Sequence, residues 1–193
     1  MSVFQHIAPL LKNDRIDTWL FAGDSITQGA VHTLGWRDYT ELFDERMFEL
    51  GCSADIVINS AVSGWRISVL HPRVEERILR FGPDVVFLMF GTNDAVAGPE
   101  GLDDFHRMYG DVLDEIRGGG IERIIMQTTL PMMPLDPEAF VGKAPELDEA
   151  TRKSAVDSLR MRLENIPVYV EATREIAARH GVPLIDHWPV WEK

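Results

Sequence analysis

Five short apolar runs punctuate the chain: Thr18–Ala22 (TWLFA), Asp55–Asn59 (DIVIN), Val85–Phe90 (VVFLMF), Ile121–Thr128 (IERIIMQT) and Val182–Ile185 (VPLI). Bounded by Gly, Pro, Asp or Asn and nearly continuous in apolar residues, they read as strands buried on both faces. Between them the apolar period lengthens. In Trp36–Leu50 the residues Tyr39, Leu42, Phe43, Met47 and Leu50 recur at threes and fours, the spacing of a helix face. Pro72–Phe81 and Leu102–Ile116 repeat that pattern, the latter stopping at Gly118-Gly119-Gly120, and Val168–His180 stops at Gly181 with Pro183 beyond. Strand and helix in regular alternation predict an α/β protein: a three-layer, doubly wound fold on a five-stranded parallel sheet. The stretch Pro131–Asp148 (PMMPLDPEAFVGKAPELD) has four prolines and little periodicity, and reads as a long loop, either decoration or a substrate-facing lid.

Composition narrows the picture. A chain of 193 residues with 45% hydrophobic residues and five Trp supports one globular domain, residues 1–193, and not a disordered segment. Its formal charge of −12 repels phosphate backbones and anionic lipid, so neither nucleic acid nor membrane is expected as a partner. The single cysteine, Cys52, excludes an intramolecular disulfide and a cysteine-cluster zinc site. No apolar stretch approaches the roughly 20 residues that span a bilayer. The N-terminal MSVFQHIAPLLKNDRIDTW lacks a basic flank, an apolar core and a small-residue cleavage site, which makes the cytoplasm the expected compartment.

Chemistry collects where the strands end, because ligands of open parallel sheets sit beyond the carboxyl ends of the strands. The first run ends in Gly23-Asp24-Ser25-Ile26-Thr27, the second in Asn59-Ser60-Ala61-Val62-Ser63-Gly64, the third in Gly91-Thr92-Asn93-Asp94 and the last in Asp186-His187. Each cluster alone reads as turn chemistry, and Ser25 alone as a helix cap. Together they describe a nucleophile with oxyanion donors. Ser25 stands where a buried strand turns into a helix, near backbone N–H groups and a positive dipole end. Its own N–H, that of Gly64 and the side-chain amide of Asn93 supply donors from three strand ends, Gly64 being needed for close approach. Asp24 and Asp94 are expected to brace the loops by accepting hydrogen bonds from backbone N–H groups. The string is not the G-x-S-x-G elbow of α/β-hydrolases, since Thr27 stands at the second glycine position.

GDSIT near the N-terminus, Gly64 after the second strand and GTND after the third resemble the first three blocks of the GDSL/SGNH hydrolases. The resemblance implies a flavodoxin-like SGNH fold, Ser25 as nucleophile, and Ser25, Gly64 and Asn93 as the oxyanion hole. It also implies a carboxylic-ester hydrolase without cofactor or metal, acting on a small-molecule ester, plausibly an acetyl ester of a carbohydrate. The family's last block, an Asp and a His three residues apart, is missing here: Asp186 and His187 are adjacent, so that block is expected beyond Lys193. Otherwise another histidine is the base. His187, after the last strand, is the first choice. His32 and His71 also follow strands, whereas His6, His106 and His180 lie elsewhere, and His32 with Trp36 would line the substrate pocket.

Two other readings share the fold. Asp24, Asp94 and Asp186 at neighbouring strand ends would hold magnesium for phosphoryl transfer, although neither GDSIT nor GTND has a lysine or arginine to meet a phosphate. Alternatively the chain is a binding module that kept the pocket without the catalysis. Acyl length, alcohol moiety and oligomeric state leave no sequence signal.

Overall fold

The computed structural model describes residues 3–12, 15–30, 33–133, 136–142 and 147–191. In chain order its elements are α1 (Val3–Ile7), β1 (Thr18–Gly23), α2 (Ser25–Gln28), α3 (Tyr39–Glu49), β2 (Ile56–Asn59), α4 (Ile67–Leu70), α5 (Val74–Arg77), β3 (Val85–Met89), α6 (Leu102–Gly118), β4 (Ile124–Gln127), α7 (Pro137–Val141), α8 (Glu149–His180), β5 (Leu184–Ile185) and α9 (Trp188–Trp191). The strands form one parallel sheet in the order β2-β1-β3-β4-β5. The expected five-stranded doubly wound sheet is therefore present.

Alternation along each strand divides the core. Trp19 and Phe21 of β1 and Val85 and Phe87 of β3 face α1 and α3, while Leu20, Ala22, Val86 and Leu88 face α4, α5, α6 and α8. On the first face Phe21 and Phe87 are register partners with rings stacked 4.5 Å apart, and Phe43 of α3 meets Phe21 edge-on at 5.1 Å. The strand starts are stitched by carboxylates: Asp55 accepts from the Asp17 N–H and from Trp19 Nε1, and Asp84 accepts from the Thr18 N–H. Helix α3 begins at a reciprocal cap, with Asp38 accepting from Thr40 and Glu41 and the Glu41 side chain accepting from the Asp38 N–H.

Two helices differ from the sequence expectation. Pro72–Phe81 is not one helix but a 3₁₀ turn, α5 and a second 3₁₀ turn, broken at Ile78. The cause lies at Arg77, whose carbonyl accepts from Ser60 Oγ at 2.6 Å while its guanidinium donates back to Ser60 O. The helix expected over Val168–His180 begins instead at Glu149, behind an Asp148 cap, and runs 32 residues through Pro167. Burial of Ile166, Tyr169 and Val170 outweighs the roughly 3 kcal/mol that an interior proline costs. Within the Pro131–Asp148 stretch, α7 packs Val141 against Val156 and Leu159 of α8. Among the described residues no helix is long and apolar enough to cross a membrane.

At the carboxyl end of β3 the chain turns through a buried carboxylate. Asp94 Oδ1 accepts from the Ile67 N–H at 2.9 Å and Oδ2 from the Gly91 N–H at 3.1 Å, tying the first turn of α4 to the end of β3. Burial pushes the Asp94 carboxyl up to about 6, with the charge of Asp24 adding to the rise and the two N–H donors opposing it. In the unfolded chain the same carboxyl ionises near 3.8. Its contribution to stability is therefore whole below the unfolded value, declines as pH rises toward the folded value, and stays lost above it. Asp94→Asn removes the titration, so between about pH 4 and about pH 7 the wild type should lose about 2–3 kcal/mol of unfolding free energy relative to the variant. Urea unfolding of both proteins across that range checks this, and parallel pH dependences would reject it.

Candidate active site

Helix α2 is a single turn, so little macrodipole acts at its start, and the donors there are individual peptide N–H groups. This corrects the expectation of a dipole end at Ser25. Asp24 is the cap: it is 1% exposed and accepts from the Ile26 N–H at 2.9 Å. Ser25 therefore stands one residue inside the helix, half-buried, and no hydrogen bond engages its hydroxyl among the described residues. The capping role that its sequence position allows belongs to its neighbour.

The loop after β2 is tied down on both sides of this serine. The Val62 N–H donates to Gly23 O at 3.1 Å, and the Ser63 N–H donates to Gln28 Oε1 at 2.8 Å, which pins the loop to the far end of α2. Gly64 follows at φ +79°, a conformation that a side chain strains, although a Cβ there would meet no atom within 4 Å. The backbone angle by itself favours glycine here, and the open space leaves room for the expected close approach of a ligand to its N–H. Trp65 completes the turn beneath the Arg77 guanidinium, 5.2 Å from its ring centre.

Asn93 joins the three strand ends. Its Nδ2 donates to Trp65 O at 3.0 Å and to Asp24 Oδ2 at 3.3 Å, so the amide lies against the sequence neighbours of both Gly64 and Ser25. Its Oδ1 accepts from Arg162 Nη2 at 3.0 Å. Arginine has no acceptor, so this contact decides which end of the amide is nitrogen. Arg162, on α8, is absent from the sequence reading, as is the exposed Arg66 that opens α4. The spacing of Arg162 to Ile166 and Tyr169, at four and seven residues, was the signal that places it on the inner face of one helix.

The remaining predicted residues are spread out. His187 follows β5 half-buried, its Nε2 3.1 Å from Gln127 Oε1 and its N–H donating to Thr128 Oγ1. Gln127 in turn donates to the Tyr39 hydroxyl, which donates to Thr27 Oγ1. Burial pushes the His187 imidazole down, with Asp186 acting the other way. Among the described residues, His187 and Ser25 share no hydrogen bond. His71, expected near the site edge, faces Asp111 of α6 instead, while His106 faces Glu175 and His180 faces Asp114. Trp36 is 82% exposed on the loop before α3, and His32 falls outside the described residues. The three aspartates of the magnesium reading have other duties, Asp24 and Asp94 on peptide N–H groups and Asp186 on Arg174 at 2.9 Å. Among the described residues no group of three or more His, Cys, Asp or Glu converges on a metal position.

Comparison with known proteins places the fold. The fold is similar to the acetyl xylan esterase AlAXEase (TM-score 0.64, 24% identity, covering 88% of this chain and 76% of that one). It is also similar to a lipase/acylhydrolase from Enterococcus faecalis (TM-score 0.61, 22% identity, 91% and 78%) and to the acetylxylan esterase Axe2 from Geobacillus stearothermophilus (TM-score 0.59, 23% identity, 88% and 75%). In sequence it is 25% identical over 175 residues to the uncharacterized lipoprotein YqeF of Bacillus subtilis, spanning 68% of that protein. It is 36% identical over 90 residues to an uncharacterized Mycoplasma pneumoniae protein, of which it spans 10%. Residues 21–193 match the GDSL-like lipase/acylhydrolase family, a span that takes in Ser25, Gly64 and Asn93, and the chain belongs to that family.

Proposed function

We propose that the protein is a serine esterase that removes small acyl groups, acetyl first among them, through an acyl-enzyme on Ser25. The observation that carries this reading is the convergence of the ends of β1, β2 and β3 on the Asn93 amide, beside a serine hydroxyl with no structural duty. In the proposed reaction Ser25 Oγ attacks the ester carbonyl, its proton leaves to a base, and the carbonyl oxygen becomes an oxyanion. The N–H groups of Ser25 and Gly64 and the Asn93 amide receive that charge. The ester C–O bond then breaks to release the alcohol, and water repeats the sequence on the acyl-enzyme. No cofactor is needed for these steps. The acetylated-carbohydrate substrate is suggested by the names of the two acetylxylan esterases to which the fold is similar.

The base remains the open position in this scheme. Family resemblance assigns it to a His three residues after an Asp, a spacing that Asp186 and His187 do not have. Since Gln127 holds the His187 ring nitrogen, we assign His187 to bracing the ends of β4 and β5. His187→Ala should therefore lower kcat less than about tenfold, whereas loss of a true general base costs about a hundred- to ten-thousandfold. A loss in that larger range would make His187 the base.

Ser25→Ala should abolish hydrolysis of 4-nitrophenyl acetate and of acetylated xylo-oligosaccharides and prevent fluorophosphonate labelling, with the thermal midpoint nearly unchanged. Turnover retained by the variant rejects the nucleophile; labelling without release of acetate from the oligosaccharide rejects only the substrate. Asn93→Ala should lower kcat about a hundredfold or more with a smaller change in KM, because its amide acts mainly as charge develops. A rise in KM alone would reassign Asn93 to substrate binding.

A further inference from the structure

Among the described residues Arg162 has no carboxylate at ion-pair distance. Several surface arginines pair with carboxylates, Arg107 with Asp104 and Asp111, Arg160 with Asp157 and Glu138, Arg174 with Asp186 and Glu171. Arg162 instead extends from the middle of α8 to the end of β3 and spends Nη2 on a neutral amide oxygen. Its Nε is buried without a hydrogen-bond partner among the described residues, a cost that buried polar groups seldom carry without a function. Half-buried, it is also desolvated and repelled by Arg66, with Asp24 as the opposing charge, so its pKa is lowered although it stays charged.

We propose that Arg162 is a positioning residue of the hydrolytic site, holding Asn93 by its Oδ1 so that Nδ2 is presented between Asp24 and Trp65, beside Ser25 and Gly64. The inference rests on the esterase reading. In the free site both Nδ2 hydrogens have acceptors, Trp65 O at 3.0 Å and Asp24 Oδ2 at 3.3 Å. A nascent oxyanion must share the longer of these, next to a carboxylate that repels it. Without a donor on Oδ1 the amide is free to follow Asp24 or to swing away. Arg162 removes that freedom and sets a positive charge against Asp24, and it polarises the amide so that its N–H groups donate more strongly. A neutral donor would satisfy Oδ1 but would not bring the positive charge that Arg162 sets against Asp24.

The test compares Arg162→Met, which keeps the alkyl stem, Arg162→Lys, which keeps charge and a donor, Asn93→Ala, and the Arg162→Met/Asn93→Ala double variant, each in the full chain. The first readout is the pair of Asn93 side-chain amide resonances in a ¹⁵N spectrum, identified by their loss in Asn93→Ala. Arg162→Met should move them toward a free asparagine amide while the backbone spectrum keeps its dispersion; unmoved resonances overturn the proposal. The second readout is kinetic. Arg162→Met should lower kcat about ten- to a hundredfold with KM little changed, Arg162→Lys should recover part of that, and Arg162→Met should add little loss in the Asn93→Ala background. Losses that multiply in the double variant overturn the proposal, because Arg162 would then act independently of Asn93. If the wild type shows no Ser25-dependent hydrolysis, the esterase reading fails, and the amide resonances still decide whether Arg162 orients Asn93.

Discussion

The Asn93 amide is the junction on which the rest of the site depends. A parallel sheet buried on both faces delivers its strands to one edge but sets no distances between the loops that leave them. Here a single side chain, held at both ends, supplies those distances: Nδ2 bridges Trp65 after β2 and Asp24 after β1, and Oδ1 is pinned by Arg162 from α8. Asp94, the next residue, adds two backbone contacts that fix α4 and the end of β3. Asp24, Asn93 and Asp94 are buried, and Trp65 and Arg162 half-buried, where an unmade hydrogen bond is expensive. The network is therefore satisfied as a whole or strained as a whole, which suits a site whose geometry must not drift.

Much of this was legible in the chain. The central strands β1, β3 and β4 appear as apolar runs because few polar residues survive on a strand covered on both sides, whereas the edge strands β2 and β5, also expected to be buried on both faces, are partly exposed because neighbours cover them less completely. Ser25, Gly64 and Asn93 stood out as candidates because short residues cluster at strand ends where a loop must turn sharply and leave donors open. At position 64 the positive φ adds a backbone reason for glycine that the sequence did not show.

What was illegible depended on contacts far apart in sequence. Pro167 concealed the first half of α8, because local propensity disfavours proline in a helix while tertiary burial of Ile166 and Tyr169 overrides it. With that half went Arg162, 69 residues from the Asn93 it holds. The break after α5 was hidden similarly, since it depends on Ser60 capturing the Arg77 carbonyl from another element. Periodicity reports which face of a segment is buried; it cannot report that a carbonyl has been taken by a side chain from elsewhere.

The placement of Asp24 shows how structure and chemistry oppose each other here. A carboxylate next to the proposed nucleophile is unfavourable for a reaction that builds negative charge on oxygen, yet α2 is too short to hold its first turn without a cap, and Asp24 provides one. The same carboxylate also accepts from Asn93, so removing it would release two of the three groups that define the site. The conflict is resolved by geometry and by charge. Asp24 turns Oδ1 to the Ile26 N–H and Oδ2 to the Asn93 amide, so both oxygens are directed at donors. Arg162 then approaches the far side of the same amide and brings a positive charge to it, while Arg66 remains on the surface. A chain with a formal charge of −12 has acidic groups to spare, and what its buried site needs is a cation brought in from a distant helix. The length of α8, which no local signal demanded, is what allows one helix both to cover the sheet and to reach the site with that charge.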